Sequence, residues 1–396
     1  MATERPLKIA VIAGEESGDL LGADLVRALS KATGREVRLV GVGGRHLEAL
    51  GLSSLFDANE IALMGVSAVL RGLPRLMLRI GQAAKAIAAE APDCLVTIDS
   101  PDFSLRVAKK VRVAAPDMPI IHYVCPSVWA WRPGRAVAMA QFVDHVLCIL
   151  PFEVEALKRL KGPAGTYVGH RLAHEAGVLK AAEAQAAPRD LSNERVKTLL
   201  LLPGSRNGEV SRLLEPFGKT VSILKARGHR LRLILPTVPH VAEQVRQRVT
   251  AWDQQPEIVL EPERKWQAYG RADAALIASG TVSLELALSG VPMMSTYILD
   301  AGARVLQRFV PIWSGLLPNL VADRPVVPEV YNEYVRPQSL ARYIEALWSD
   351  SGMRRWQIDG FEEVRRRMRT DRPAGELAAE VVLKTIRKRA AGGKSI

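Results

Sequence analysis

Twice along this chain, short aliphatic and β-branched runs alternate with longer stretches of helical period, and few folds accept that alternation. Strands separated by helices call for parallel sheets with helical crossovers. The first series reads as strand 7–13, helix 20–32, strand 37–42 and a helix near 44–50. An apolar stretch at 61–70 follows, then helix 74–90, strand 94–98, helix 102–114, strand 119–124, helix 133–140 and strand 144–149. The second series reads as strand 197–202, helix 208–227, strand 230–235, helix 240–252 and strand 257–260. It closes with helix 264–271, strand 273–278, helix 281–289 and strand 292–297. Residues 175–196 between them are alanine-rich and polar, and read as a connection. The expected class is therefore α/β: two doubly wound, Rossmann-like domains at 1–174 and 197–337, then charged helices and a basic tail over 338–396. Ligands of such sheets bind beyond the carboxyl ends of the strands, and two domains can set those ends facing across a cleft.

The loops after strands thus carry the chemistry. The first lies within KIAVIAGEESGDLLGADLVRAL, residues 8–29. Where a nucleotide-binding fold places a glycine-rich phosphate loop, this chain has Glu15, Glu16 and Asp19. Phosphate favours free N–H groups and the positive end of a helix dipole. Three carboxylates at that position repel it.

LPGSRNGE, at 202–209, suits a diphosphate better. Gly204 permits a tight turn, Ser205 can cap the helix and offer its hydroxyl, and Arg206 brings a guanidinium to the helix start. The plainer alternative is an ordinary turn with a capping serine. IASGTVSLE repeats the pattern: Ser279, Gly280 and Thr281 turn into a helix, and Glu285 one turn inside can accept from two ribose hydroxyls, or simply face solvent. In IDSPDF, Asp99 stands just past a strand and is the candidate base, while Asp102 reads as a charge at a helix start. YVCPSVWAWRPGR offers Trp129 and Trp131 with Arg132 and Arg135, suited to stacking on sugars, to lipid, or to a core.

Hydrophobic residues make up 48% of the chain and charged residues 24%, as in globular proteins. No uncharged apolar run reaches the ~18 residues of a membrane span, and MATERPLK leads into a strand without the pattern of a signal peptide. Cys94, Cys125 and Cys148 sit in or beside apolar runs and read as buried free thiols. His122 and His170 lie near candidate loops but read as buried, hydrogen-bonded side chains. HExxH, paired CxxC, GxxxxGK[ST] and GxSxG patterns with matched partners are missing, which disfavours metal hydrolysis, P-loop chemistry and nucleophile elbows.

The net charge of +12 points to nucleic acid, anionic lipid or phosphorylated substrates. Ile61 to Leu70 carries no charge and is too short to span a bilayer. Gly72 and Pro74 are expected to break the helix there, and Arg71, Arg75 and Arg79 follow. Such a segment fits shallow insertion at an anionic surface, or a buried helix followed by an amphipathic one.

Together these loops resemble lipid-A-disaccharide synthases, glycosyltransferases of the GT-B type. The matching motifs are AGExSGDxLGAxLxRAL at 13–29, MGVxxVL at 64–70, IDxPDF at 98–103 and IHYVxPSVWAWR at 121–132. They continue with LPFE at 150–153, VGH at 168–170, LLPGSRxxEV at 201–210, DAALxASGTxxLE at 273–285 and LPNL at 317–320. Glu16 and Cys125 depart from the family, which often has a small or hydroxyl residue and a serine there.

The resemblance implies an inverting transfer from UDP-2,3-diacylglucosamine to 2,3-diacylglucosamine 1-phosphate, giving a β(1→6) disaccharide phosphate and UDP. Asp99 would be the base, with Asp102 second. Acceptor contacts would come from Glu15, Ser17, Asp19, Met64, Ser127, Trp129, Trp131 and Arg132. Gly204, Ser205, Arg206, Ser279, Gly280, Thr281, Glu285 and Asn319 would hold the nucleotide. An acid-lined first loop then serves sugar hydroxyls, and the phosphate role falls to the second domain. No metal or other cofactor is expected. The implied location is cytoplasmic, peripherally attached to the inner membrane; a homo-oligomer stays open. The alternatives are another GT-B enzyme of UDP-N-acetylglucosamine, an epimerase or cell-wall transferase, or a basic nucleic-acid-binding protein, for which no module is recognisable.

Overall fold

The computed structural model describes residues 5–62, 69–192, 194–300, 302, 304 and 312–392, with backbone alone at 59, 62, 69–73 and 392. It divides into two compact units: residues 1–171 with 370–396, and residues 172–369.

The first unit is built on β1 (Leu7–Ala13), β2 (Val37–Val42), β3 (Cys94–Ile98), β4 (Ile120–Tyr123), β5 (His145–Cys148) and β6 (Gly165–Tyr167). All pairs are parallel, in the order β2-β1-β3-β4-β5-β6. Parallel strands covered on both faces need continuous apolar runs, and Cys94–Ile98 is buried throughout. The helices are α1 (Glu16–Thr33), α2 (Arg45–Glu48), α3 (Asn59–Ala62), α4 (Val69–Glu90), α5 (Pro101–Ala114), α6 (Gly134–Met139) and α7 (Glu153–Arg159). On one face Ile80, Val107 and Met139 of α4, α5 and α6 meet Ala10, Leu95 and Ile120. On the other, Leu25 and Leu29 of α1 pack with Ile9, Val11 and Val96, joined by Ala378 and Val382 of the helix Ala374–Gly392.

Two local differences from the sequence reading have physical causes. Helix α1 starts at Glu16, ahead of its expected start, because Gly18 and Gly22 weaken the helical signal yet let the helix lie close to β3. Helix α4 continues through Pro74, where a break was expected. Pro74 removes one ladder bond near the helix start, while Ile80, Ala83, Ala84 and Ile87 form a buried stripe that holds the rest.

The second unit repeats the plan with β7 (Lys197–Leu202), β8 (Leu231–Pro236), β9 (Glu257–Val259), β10 (Ala274–Ala278), β11 (Met293–Tyr297) and β12 (Glu329–Tyr331). Its parallel order is β12-β11-β10-β7-β8-β9. Helices α8 (Ala176–Ala186), α9 (Asn207–Ala226), α10 (Pro239–Val249), α11 (Pro262–Arg271) and α12 (Val282–Ser289) surround it. Leu213 and Phe217 of α9, with Leu340 and Trp348 of the helix Pro337–Trp348, close on Leu199, Leu233 and Leu276.

The stretch expected as a connection contains α8, which packs on α11 and α12. The Gln185 amide of α8 donates to the carbonyls of Tyr269 (2.6 Å) and Ala272 (2.9 Å). The charged helical end divides: Pro337–Trp348 and Gly352–Met368 belong to the second unit, and Ala374–Gly392 to the first. Among the described residues no helix is long and apolar enough to cross a membrane.

Each sheet reverses its strand order once. In the first unit β1 lies between β2 and β3; in the second β7 lies between β8 and β10. Such reversals open a crevice beyond the strand ends. The flanking loops are those after β1 and β3, and those after β7 and β10.

Candidate active site

Beyond β1, Glu15, Glu16 and Asp19 line a cavity of about 870 Å³ with Gly44, Arg45 and Asp57. Asp19 is only 1% exposed. Its carboxylate accepts from the backbone N–H groups of Gly44 (2.7 Å), His46 (2.8 Å) and Leu47 (3.3 Å). These donors belong to the start of α2, which has no intrahelical acceptors for them. Asp19 therefore caps α2 and ties down the loop after β2, besides facing the cavity. Glu16 pairs with Arg45, and Ser17 is exposed in the first turn of α1. Glu15 accepts from the Ser100 hydroxyl at 3.4 Å, which links the loops after β1 and β3 across the crevice.

Asp99 follows β3 with φ 49°, and Ser100 with φ 43°. Two adjacent non-glycine residues in the left-handed region are costly and persist only where the surroundings impose them. Here the Asp99 N–H donates to the Tyr123 carbonyl (3.0 Å), and the Ser104 hydroxyl donates to the Asp99 carbonyl (2.6 Å). The carboxylate is half-buried and accepts from the Ser100 N–H at 2.8 Å. Burial raises its pKa, and that hydrogen bond opposes the rise. Asp102 differs: it is exposed and lies 3.3 Å from Arg132 and 2.5 Å from Arg135.

Behind Asp99, His122 Nδ1 meets the Thr97 hydroxyl at 2.8 Å, both fully buried. Burial, with Arg135 adding, lowers the His122 pKa to about 3, so the ring is neutral. Burial likewise takes His170 to about 4, with Arg171 adding. The two tryptophans separate: Trp129 packs edge-on against Phe152 at 5.1 Å, while Trp131 is 40% exposed. Ser127 and Arg132 are exposed beside them. Met64 lies outside the described residues.

In the second unit the expected N–H cradle is already filled. The Ser205 and Arg206 N–H groups donate to Glu209 Oε2 at 3.1 and 3.3 Å. Glu209 Oε1 accepts from the Arg206 guanidinium (3.0 Å) and the Tyr297 hydroxyl (3.3 Å). A carboxylate in the first turn of α9 satisfies the donors that an anion would otherwise take. Gly204, at φ 107°, makes room for it. The Arg206 side chain, 80% exposed, remains the cation of this loop.

After β10, Ser279 donates its hydroxyl to the Gly315 carbonyl at 3.3 Å. Gly280 and Thr281 lead into α12, whose first N–H groups have no acceptor within the helix. Glu285 is braced from α11 by Lys265 (3.1 and 3.2 Å) and the Tyr269 hydroxyl (3.0 Å), while staying partly exposed. Asn319 is 1% exposed and spent internally. Its amide donates to Ser314, Val327 and Glu329 and accepts from the N–H groups of Val326 and Val327. Glu329 accepts in turn from the Gly315 N–H at 3.0 Å. Asn319 thereby positions the segment that touches Ser279. Glu209 closes the quoted LPGSRNGE stretch without being marked there as the acceptor of its N–H groups, whereas Lys265, Tyr269 and Glu329 carried no signal in the sequence beyond their place on the helices and strands that flank these loops.

Two parallel sheets with loops gathered at one reversal each define the GT-B class of nucleotide-sugar enzymes. A co-structure of S. aureus MnaA with UDP has the same fold, with a TM-score of 0.62 at 14% identity over 97% of each chain. MurG from Acinetobacter baumannii gives a TM-score of 0.58 at 14% identity, over 97% of this chain and all of that one. Sequence likeness is narrower. The family model of lipid-A-disaccharide synthetase matches residues 9–380. The lipid-A-disaccharide synthase of Nitrobacter winogradskyi is 44% identical over 385 residues, 96% of each chain. The chain belongs to the lipid-A-disaccharide synthase family.

Proposed function

We propose that this enzyme joins UDP-2,3-diacylglucosamine to 2,3-diacylglucosamine 1-phosphate, forming the β(1→6) disaccharide 1-phosphate and UDP. The observation that carries the reading is Asp99, held half-buried beside an acid-lined crevice that suits hydroxyls and rejects phosphate. Asp99 takes the proton of the acceptor's 6-hydroxyl as that oxygen attacks the anomeric carbon. The bond from that carbon to the UDP oxygen breaks on the opposite face, and the configuration inverts. A carboxylate with a raised pKa is the stronger base. Glu15 and the Asp19 edge accept from other acceptor hydroxyls.

Charge that develops on departing UDP falls to Arg206, the Ser205 hydroxyl and the start of α12. Glu285, braced by Lys265 and Tyr269, accepts from the ribose hydroxyls. Acylated substrates place the enzyme at a bilayer. The net charge of +12 and the exposed Met77 and Leu78 on α4 support contact with an anionic surface. Of the three arginines expected to hold that surface, Arg75 and Arg79 both pair with Glu60. The test is incubation with both sugars and mass detection of products. Release of UDP without the disaccharide, or no turnover, removes this reading.

A further inference from the structure

We propose that the groove between α5 and α6 seats an acyl chain of the acceptor, and that its basic rim holds the acceptor's phosphate. The inference rests on the transfer reaction above. The groove is shallow and open to solvent, with a volume of about 520 Å³. Its floor is apolar: Leu105 from α5, Ala138 and Met139 from α6, and Phe142 just beyond. Its rim carries Arg106 and Lys109 on one side and Arg132 and Arg135 on the other.

The charge balance identifies the occupant. Four cations meet one lining carboxylate, Asp102, which both Arg132 and Arg135 already engage. Arg106 reaches only the Met77 sulfur, at 3.9 Å, and neither it nor Lys109 meets a carboxylate among the described residues. A greasy floor under a cationic rim fits an anionic amphiphile and disfavours a neutral one. The crevice beyond β1 has the opposite character, with Glu15, Glu16, Asp19, Glu48 and Asp57 around Arg45. Only Ser100 and Pro101 separate Asp99, at that crevice, from Asp102, at the mouth of the groove. The acceptor has matching parts: hydroxyls to be activated, a phosphate and acyl chains. The turn 99–102 stands where these parts divide. Each methylene buried in such a groove adds roughly fourfold in affinity.

The experiment uses the full chain and acceptors of graded acyl length in mixed micelles. Ala138 is exposed on α6, so Ala138→Trp fills the groove without entering the core. It should raise the KM for a long-chain acceptor at least tenfold and leave kcat and the calorimetric affinity for UDP unchanged. The deficit should shrink as the chain is shortened. Arg106→Glu with Lys109→Glu should raise the KM for the 1-phosphate acceptor and not for its dephosphorylated form. This second variant decides alone if thermal unfolding reveals that Ala138→Trp destabilises the first unit. KM values that ignore both changes overturn the proposal. So does reduced sedimentation with anionic vesicles at unchanged KM, which makes the groove a bilayer contact. A wild type that turns over beside unaffected variants removes the groove alone; a wild type that forms no disaccharide removes the reaction and the groove together.

Discussion

A Cβ on Gly204 would stand 2.3 Å from Glu209 Oε2, so the carboxylate occupies the space that any other residue at 204 needs. The acid closes the loop after β7 by taking its N–H groups. Asp19 does the corresponding work in the first unit, with the N–H groups of the loop after β2. Both switch crevices are thus shaped by a buried carboxylate in the first turn of a helix.

Gly204→Ala should therefore open this loop. The strained φ and the displaced Glu209 should cost about 1–3 kcal/mol of stability and weaken UDP binding. Thermal unfolding and calorimetry measure both, and a variant equal to wild type in each contradicts the clamp.

Asp99→Asn should bind both substrates and lose about 10²–10⁴-fold in turnover, the usual worth of a general base. Asp102→Asn should lose far less, because its carboxylate is exposed, is engaged by Arg132 and Arg135, and lies outside the strained turn. The reverse ranking in steady-state rates reassigns the base to Asp102.

Glu285→Ala removes the carboxylate expected to accept from ribose and strands Lys265 and Tyr269. UDP affinity should fall by about 1–3 kcal/mol. Undiminished affinity in a folded variant takes Glu285 out of the nucleotide site.

Glu153 gives a pH-dependent prediction. It is buried, and burial pushes its pKa from 4.5 to about 7 against hydrogen bonds from the N–H groups of Leu150 and Ile149. Its folded pKa lies above the unfolded one, so its contribution to stability is intact below pH 4.5 and lost as pH rises toward 7. Glu153→Gln keeps an acceptor for both N–H groups and removes the ionisation. It should be more stable than wild type by about 3 kcal/mol above pH 7 and no more stable at pH 4. His122 and His170 act in the opposite direction, losing stability as pH falls below 6.5, but do so equally in both proteins. Urea unfolding at the two pH values with the same difference would refute the assignment.

The central strands were legible because burial on both faces writes itself as unbroken apolar runs, and β1, β3 and β7 have the expected bounds. The edge strands β6 and β12 are three residues long and carry no such pattern. The loops that bear Asp99, Ser205 and Ser279 were also legible, since they follow strands and open helices. What they do with their donors was not. Gly-Ser-Arg at a helix start suits a phosphate or an internal acid equally, and Glu209, three residues past Arg206 in the same turn, decides it as the acid of a local capping box. Asp19 meets Gly44, 25 residues away, through the neighbouring strand. Asn319 enters the nucleotide set through the family resemblance alone, and the five hydrogen bonds of its side chain all stay within 314–329.

The helix Ala374–Gly392 covers α1 of the first unit, although residues 172–369 build the second. On a ribosome adding about 5–20 residues per second, β1 to β6 are finished roughly 10–40 s before Ala378, Ala379 and Val382 emerge. Until then the side of α1 that this helix covers faces water or a chaperone. The second unit, continuous in sequence, can close in that interval. The first to begin is therefore the last to complete, and a ribosome that stalls between 330 and 370 leaves an exposed apolar seam for the cell's proteases to find.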